Sequence, residues 1–345
     1  MRKAIPVLIL LLALLLSACG GRAAEPYSLT IWYVDTPLSP VVERLAEDYN
    51  RTRGRDTLPV TLRAWESSEQ LLSTLQHSAA PALILCPHTL AFTLSEAGLL
   101  KNAGVAAPAY PDWLCERAAC IGQGYFPVGF SLPLLCVPEG TPDRVSELLT
   151  YCADRGRETG SPCLFIDRFA PLFYQVLLDN GTEFHAHAAR DAFSKDYVNL
   201  YNQLAEAVFD GGLTLDESAG NACRIESSTA LSGEDLAGCT LRPLSAGPLL
   251  AEGFGFAVTV RETRMQRALP DFLRWLLKPG RLGQAALDTG LIPAVADKLS
   301  PRDALEAELV RLMDHPLHLP DPDREYYVNQ SAFEGEFRAA MELLR

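Results

Sequence analysis

Short β-branched or apolar runs alternate with amphipathic helical patterns through the first third of the chain. Loops that short restrict it to an α/β architecture with a mainly parallel sheet. Leu29-Thr-Ile-Trp-Tyr-Val34 is short, β-branched and aromatic, as a buried strand requires. Ser39 suits a helix N-cap and Pro40 the first helical position, and Val42, Leu45, Ala46 and Tyr49 then recur at helical spacing. Val60 to Ala64 predicts a second strand, and Ser67 with Gln70 forms a capping-box pattern ahead of Leu71, Leu72 and Leu75. Ala82-Leu-Ile-Leu85 predicts a third strand, followed by a short helix from Leu90 to Ala97 that Gly98 stops.

Phe126 to Val137 breaks this rhythm. It is one extended apolar stretch carrying Pro127, Gly129 and Pro133, and it suits a crossover from one lobe to another. A second α/β region follows, with helices near Asp143–Ala153, Pro171–Leu178 and Asp191–Phe209 and a strand at Leu164–Ile166. Gly253 to Val260 is again strand-like, Leu269, Phe272, Leu273 and Leu276 stripe the next helix, and helices near Asp303–Met313 and Ala332–Leu344 close the chain. The expected organisation is a leader over 1–18, a tether over 19–26, a first lobe over 27–128 and a second over 129–242. A return to the first lobe over 243–296 follows, then C-terminal helices over 297–345 lying mainly with the second.

Arg2 and Lys3 precede an unbroken apolar run from Ala4 to Leu16, which is a signal peptide and too short for the roughly 20 apolar residues of a spanning helix. Leu16-Ser17-Ala18-Cys19 resembles the bacterial lipobox, which implies cleavage before Cys19 and a diacylglyceryl anchor on its sulfur. The expected location is the outer face of a cell membrane, extracellular or periplasmic. With 30 basic against 43 acidic residues the chain carries a formal charge of −13, which repels nucleic-acid phosphates and anionic lipid surfaces. Nine cysteines are present, and with Cys19 given to lipid an even number remains, which in an exported chain invites disulfides. Cys115 with Cys120, Cys152 with Cys163 and Cys223 with Cys239 are close enough in sequence to pair. Cys86 and Cys136 sit in strand-like runs that suit buried thiols equally well.

Catalytic and cofactor motifs are weak. Gly129-Phe-Ser-Leu-Pro133 lacks the second glycine that lets a nucleophile elbow expose its serine. Gly122-Gln-Gly124 and Gly253-Phe-Gly255 never gain a third glycine ahead of a helix. His185 with His187 and His315 with His318 have metal-compatible spacings but no cysteine or carboxylate partners at fixed offsets. Neither enzyme chemistry nor a metal or other cofactor is expected.

Four stretches resemble the extracellular solute-binding proteins of ABC importers, in particular the family of maltose- and oligosaccharide-binding proteins: "LTIWYVDTPLSPVVERLAEDYN", "PALILCPHTLAFTLSEAGLL", "FPVGFSLPLLCVPEG" and "GFGFAVTVRETRMQRALPDFLRWLLKPGRLGQAALDTGLIPA". In order and spacing they cover nearly the whole chain behind the lipobox. The resemblance implies two α/β lobes of the periplasmic-binding-protein-like type II fold, joined by a hinge, with a ligand cleft between them. It implies a monomer that captures a small polar solute, an oligosaccharide first, and delivers it to a membrane permease. The alternative is a sensor or interaction lipoprotein on the same scaffold.

Ligands of open α/β sheets bind beyond the carboxyl ends of strands. That rule selects Asp35 and Thr36 after the first strand, Trp65 and Glu66 after the second, His88 and Thr89 after the third, and Ser131 on the hinge strand. Phe169 and Asp235 are the candidates from the second lobe, with Tyr326 from the late segment. Where sugar-binding members place charged hydrogen-bonding residues after the third strand, this chain has Thr89 and Leu90. Ser131 takes the place of their hinge-strand carboxylate, and the aromatic platform of their second lobe falls near Asp235.

Overall fold

The computed structural model describes residues 27–77, 80–112, 114, 124–142, 144–179, 195–216, 223–234, 236, 238–278, 280–295, 298–319 and 324–344. The expected leader, Cys19 and the tether lie outside these residues, as do Cys115, Cys120, His185, His187 and Asp235.

Buried apolar runs become β1 (Leu29–Val34) and β3 (Leu83–Pro87), and the more exposed β2 (Val60–Trp65) forms the sheet edge, all parallel with β1 in the middle. They are joined by α1 (Ser39–Thr52), α2 (Ser68–His77) and α3 (His88–Glu96). The capping box ahead of α2 forms by half: Ser67 Oγ accepts from Gln70 N at 3.2 Å, but Gln70 Oε1 accepts from Glu66 N, one residue before the cap, at 3.2 Å. Ser39 does not cap α1. Leu38 holds the cap position, and Ser39, one residue inside, turns its hydroxyl back to accept from Thr36 N at 3.0 Å.

The extended stretch is a crossover. β4 (Tyr125–Ser131) belongs to the first sheet and β5 (Pro133–Pro138) to the second, with only Leu132 between them. Gly129 lets β4 lie against its neighbours, since a Cβ there would stand 2.8 Å from Ile292 O and 2.9 Å from Ala286 Cβ. Beyond β5 come α4 (Val145–Thr159), β6 (Leu164–Ile166), α5 (Ala170–Asp179), α6 (Lys195–Phe209), β7 (Leu213–Thr214), β8 (Cys223–Ser227) and β9 (Cys239–Pro243). The chain returns through β10 (Leu249–Leu250) to β11 (Glu252–Val258) in the first sheet. It then forms α7 (Thr263–Leu276), α8 (Arg281–Leu287), β12 (Ile292–Pro293), α9 (Ala304–Arg311), β13 (Leu317–His318) and α10 (Arg324–Glu342).

Among the described residues the first sheet runs β12-β4-β11-β3-β1-β2 and the second β7-β6-β8-β5-β9, with β10 and β13 forming a separate parallel pair. Two clusters of buried side chains form the interior, the larger centred on the first sheet but also taking in Leu134, Cys136 and Leu241 of the second. Ile31, Ile84 and Leu85 anchor the first, where Phe272 meets the Tyr49 ring edge-on at 4.9 Å. Phe173, Leu204 and Ile225 anchor the second, and Phe337 of α10 packs there 5.1 Å from the Phe173 ring. Full burial of such side chains contributes about 1.5–3 kcal/mol each.

The C-terminal segment divides between the clusters. Leu305, Leu309 and Leu312, spaced four and three residues apart on one helical face, bury in the first core with Leu317 and Leu319. α10 joins the second cluster through Phe337 and Met341. α10 also starts at Arg324, ahead of the Ala332 expected from periodicity.

Candidate functional site

Strand directions decide what meets at the hinge. β3 pairs antiparallel with β11, and β11 pairs antiparallel with β4, so β4 runs the same way as β1, β2 and β3. The carboxyl ends of all four strands therefore share one edge of the first sheet. Asp35, Thr36, Trp65, Glu66, His88, Thr89 and Ser131 all lie along that edge. The start of β11 meets it too, with Glu252 opposite Ser131 in the register.

A narrow recess opens where this edge faces the second sheet, lined by residues of β4, β5, α5, β8, β10, β11 and the loop after β6. Ser131 Oγ and Ser227 Oγ share a hydrogen bond of 2.6 Å, and Ser227 Oγ bonds Thr229 Oγ1 at 2.8 Å. Arg168 follows β6 in the second lobe and reaches Glu252 of the first, Nη1 to Oε1, at 3.5 Å, with both side chains a little over one-third exposed. Glu226, 3% exposed, also lines the recess and is 3.5 Å from Arg224. The hinge floor thus offers two hydroxyls, a cation and two carboxylates, and no aromatic side chain is among its lining residues.

The Arg168 loop is held from behind. Glu334 of α10 accepts from Phe169 N at 2.8 Å and Ala170 N at 2.9 Å, and Arg338 donates to Asp167 O. Two buried N–H groups at the start of α5 are satisfied in this way, and the guanidinium one residue earlier is left aimed at the hinge. A larger groove of about 1850 Å³ runs between β9 and α9 past Arg242, Glu308 and Arg311. It takes nothing from the strand ends of the first sheet, so the hinge recess is the stronger candidate.

The expected residues fare differently. Ser131 lies in the recess, 7% exposed. Asp35 and Glu66 are exposed at the sheet edge and Thr89 is half-buried. Thr36 is buried, with an Oγ1 that has no hydrogen-bond partner. Trp65 does not present a free face: its ring sits 4.9 Å from that of Trp32, and the Arg63 guanidinium lies 4.1 Å over it. His88, 5% exposed, packs between the rings of Phe92 and Tyr125 at 6.4 and 5.8 Å. Phe169 is fully buried, 4.8 Å from Phe337, and is a core residue of the second lobe. Tyr326 lies on α10 with its side chain outside the described residues, and Asp235 is outside them altogether.

Sequence reasoning missed Arg168, Glu226, Ser227 and Glu252. The signals were present: Arg168 ends the strand-like "LFIDR", and Glu252 opens "EGFGF" where the chain re-enters the first sheet. Choosing Phe169 over its neighbour favoured an aromatic platform where the strand end presents a charge.

Among the described residues no group of three His, Cys, Asp or Glu side chains could hold a metal ion.

No protein-family model and no curated protein sequence matches the chain. Solved structures match along nearly its whole length. A cyclic α-maltosyl-1,6-maltose binding protein from Arthrobacter globiformis superposes with a TM-score of 0.66 at 16% identity, covering 93% of this chain and 95% of that one. UgpB from Mycobacterium tuberculosis, in complex with glycerophosphocholine, gives 0.64 at 16% identity over 92% and 98% of the two chains. An ABC substrate-binding protein from Listeria monocytogenes, in complex with cycloalternan, gives 0.63 at 12% identity over 92% and 94%. Superposition along nearly the whole length of both chains carries the fold at this identity: the chain has the two-lobed, periplasmic-binding-protein-like α/β fold of these solute-binding proteins, with its candidate site between the lobes.

Proposed function

We propose that the chain is the solute-capturing component of an ABC importer rather than an enzyme. It closes two lobes on a small polar solute and presents the closed form to a membrane permease. The observation that carries this reading is the hinge recess, where Ser131 and Glu252 of one lobe face Ser227 and Arg168 of the other. Hinge closure needs groups on both lobes that a ligand can bridge. The neighbours' ligands, two cyclic sugars and glycerophosphocholine, span neutral and charged solutes. The sequence resemblance puts an oligosaccharide first. The ion pair and the absence of lining aromatics favour instead a small solute carrying charge, because sugars rely on stacking against aromatic faces.

The test is thermal melting of the purified protein against oligosaccharides, amino acids, polyamines and choline phosphodiesters. A ligand at about 100 times its dissociation constant adds about 2.7 kcal/mol of stability, which raises the midpoint by a few degrees. A flat response across the panel overturns solute capture and favours the sensor or interaction reading.

The lipobox adds an anchor at Cys19 and a location on the outer face of the membrane. Cys19→Ser is expected to release the protein from washed membranes into the soluble fraction. Unchanged retention of the variant overturns the anchor.

A further inference from the structure

Three cysteines from three elements converge in the second lobe, away from the hinge recess. Cys152 lies on α4, Cys163 immediately precedes β6, and Cys223 opens β8. β6 and β8 are parallel neighbours with Leu164 opposite Cys223, and Cys223 N donates to Cys163 O at 2.9 Å. Cys152 stands over that pair, because Gly212, whose carbonyl accepts from Cys163 N at 2.9 Å, also lies against the Cys152 backbone. It can come so close because residue 212 lacks a side chain: a Cβ there would sit 1.9 Å from Cys152 O.

We infer that these three thiols form a cross-linking site in which Cys152 is the shared partner, bridging to Cys163 and leaving Cys223 as a reserve thiol. The pairing of Cys223 with Cys239 suggested by sequence proximity does not fit this fold. β5 lies between β8 and β9, so those cysteines are two strand spacings apart, roughly 9.5 Å. A disulfide needs Cα atoms within about 6.8 Å.

Access and acidity give the order of events. Cys163 is half-buried, whereas Cys152 and Cys223 are 0% and 2% exposed. The Cys152 hydrogen bond, with Arg155 nearby, holds the Cys163 thiol below its ordinary range. The contact with Cys163, that with Cys223 and burial push the Cys152 thiol far up, and the contact with Cys152 holds Cys223 down as well, so exposure is what singles out Cys163. Cys163 is therefore the entry point for a low-molecular-weight disulfide. Its thiolate attacks one sulfur of the oxidant and expels the other half as a thiolate, leaving a mixed disulfide. Cys152 then gives up its proton, attacks the Cys163 sulfur and expels the second half. The protein loses two electrons and two protons, and the oxidant leaves as two thiols. Cys223, on the other side of Cys152, can displace Cys163 by the same exchange.

Oxidation in the cell depends on the export proposed above, so the test supplies its own oxidant and is independent of it. Purified protein is incubated with oxidised glutathione, alkylated and cut with trypsin, which places the three cysteines on separate peptides, 145–155, 158–168 and 196–224. The expected product links 145–155 to 158–168 and leaves 196–224 alkylated. In Cys163→Ser the link moves to 145–155 and 196–224. In Cys152→Ser the resolving thiol is gone, and a glutathione adduct stays on 158–168. Three alkylated peptides after oxidation, a link that omits Cys152, or a link from 196–224 to the Cys239 peptide would each overturn the inference.

Discussion

A solute carrying both an ammonium and an acidic group is expected to raise the melting midpoint of the wild-type protein, and Arg168→Ala to remove most of that rise. Arg168 and Glu252 sit on opposite lobes, 3.5 Å apart, each about one-third exposed. In that setting the pair itself contributes little to stability, since exposed ion pairs are worth about 0–1 kcal/mol. A zwitterion can replace it at little cost, its acidic group on the guanidinium and its ammonium on the Glu252 carboxylate. Charge-assisted hydrogen bonds to a ligand in a closed cleft are worth more, about 1.5–3 kcal/mol each. Arg168→Ala should therefore weaken binding roughly 10- to 150-fold by titration calorimetry, with the unliganded midpoint moving by less than about two degrees. Glu252→Gln keeps the shape and removes the charge; it should weaken zwitterion binding comparably while leaving a purely anionic analogue unaffected. Trp65→Ala is the contrast. With Trp32 and Arg63 covering its ring, it should lower stability and leave affinity unchanged. If Trp65→Ala abolishes binding and Arg168→Ala does not, the ligand sits at the edge of the first sheet and the hinge-floor assignment is wrong.

The difference between what could and could not be read in advance is physical. β1 and β3 were legible because each is a short, mostly buried apolar run, β2 because it alternates as an edge strand does, and α1 because Val42, Ala46 and Tyr49 line up at helical spacing. The crossover was legible because one apolar run too long for a single strand carried Pro133 near its middle. The neighbours of residues 304–319 were not, since the Leu305, Leu309 and Leu312 stripe shows that a helix is buried without showing what buries it. The site followed the same division. The carboxyl-end rule brought Asp35, Trp65, His88 and Ser131 to one edge, but which of them face solvent depends on partners distant in sequence, such as Arg63 over Trp65 and Tyr125 beside His88. Arg168 and Glu252 are 84 residues apart, and only the return of β11 to the first sheet joins them.

Gly212→Val is the substitution expected to cost the most stability, about 3–5 kcal/mol, although it adds only apolar atoms. A Cβ at this position would lie 1.9 Å from Cys152 O, 2.4 Å from Cys152 C and 3.0 Å from Ala153 N. All three are backbone atoms of α4, so no rotamer change relieves the contact. The approach is mutual, since a Cβ on Gly156 would lie 2.3 Å from Gly212 N. α4 and the turn into β7 therefore pack backbone against backbone, and a side chain at 212 requires the helix to withdraw. Leu148, Leu149 and Cys152 hold α4 in the second core, and withdrawal would open cavities around them at about 24 cal/mol per Å³. Gly160→Ala separates this close approach from backbone conformation. Gly160 caps α4 at φ 64° with open space where its Cβ would be, so that variant should lose only about 1 kcal/mol, the cost of a left-handed conformation without a clash. Chemical denaturation should show a large fall in the midpoint for Gly212→Val and a small one for Gly160→Ala. Equal losses would mean that α4 is not pressed onto the turn, and the contact that brings Cys152 over Cys163 and Cys223 would lose its basis.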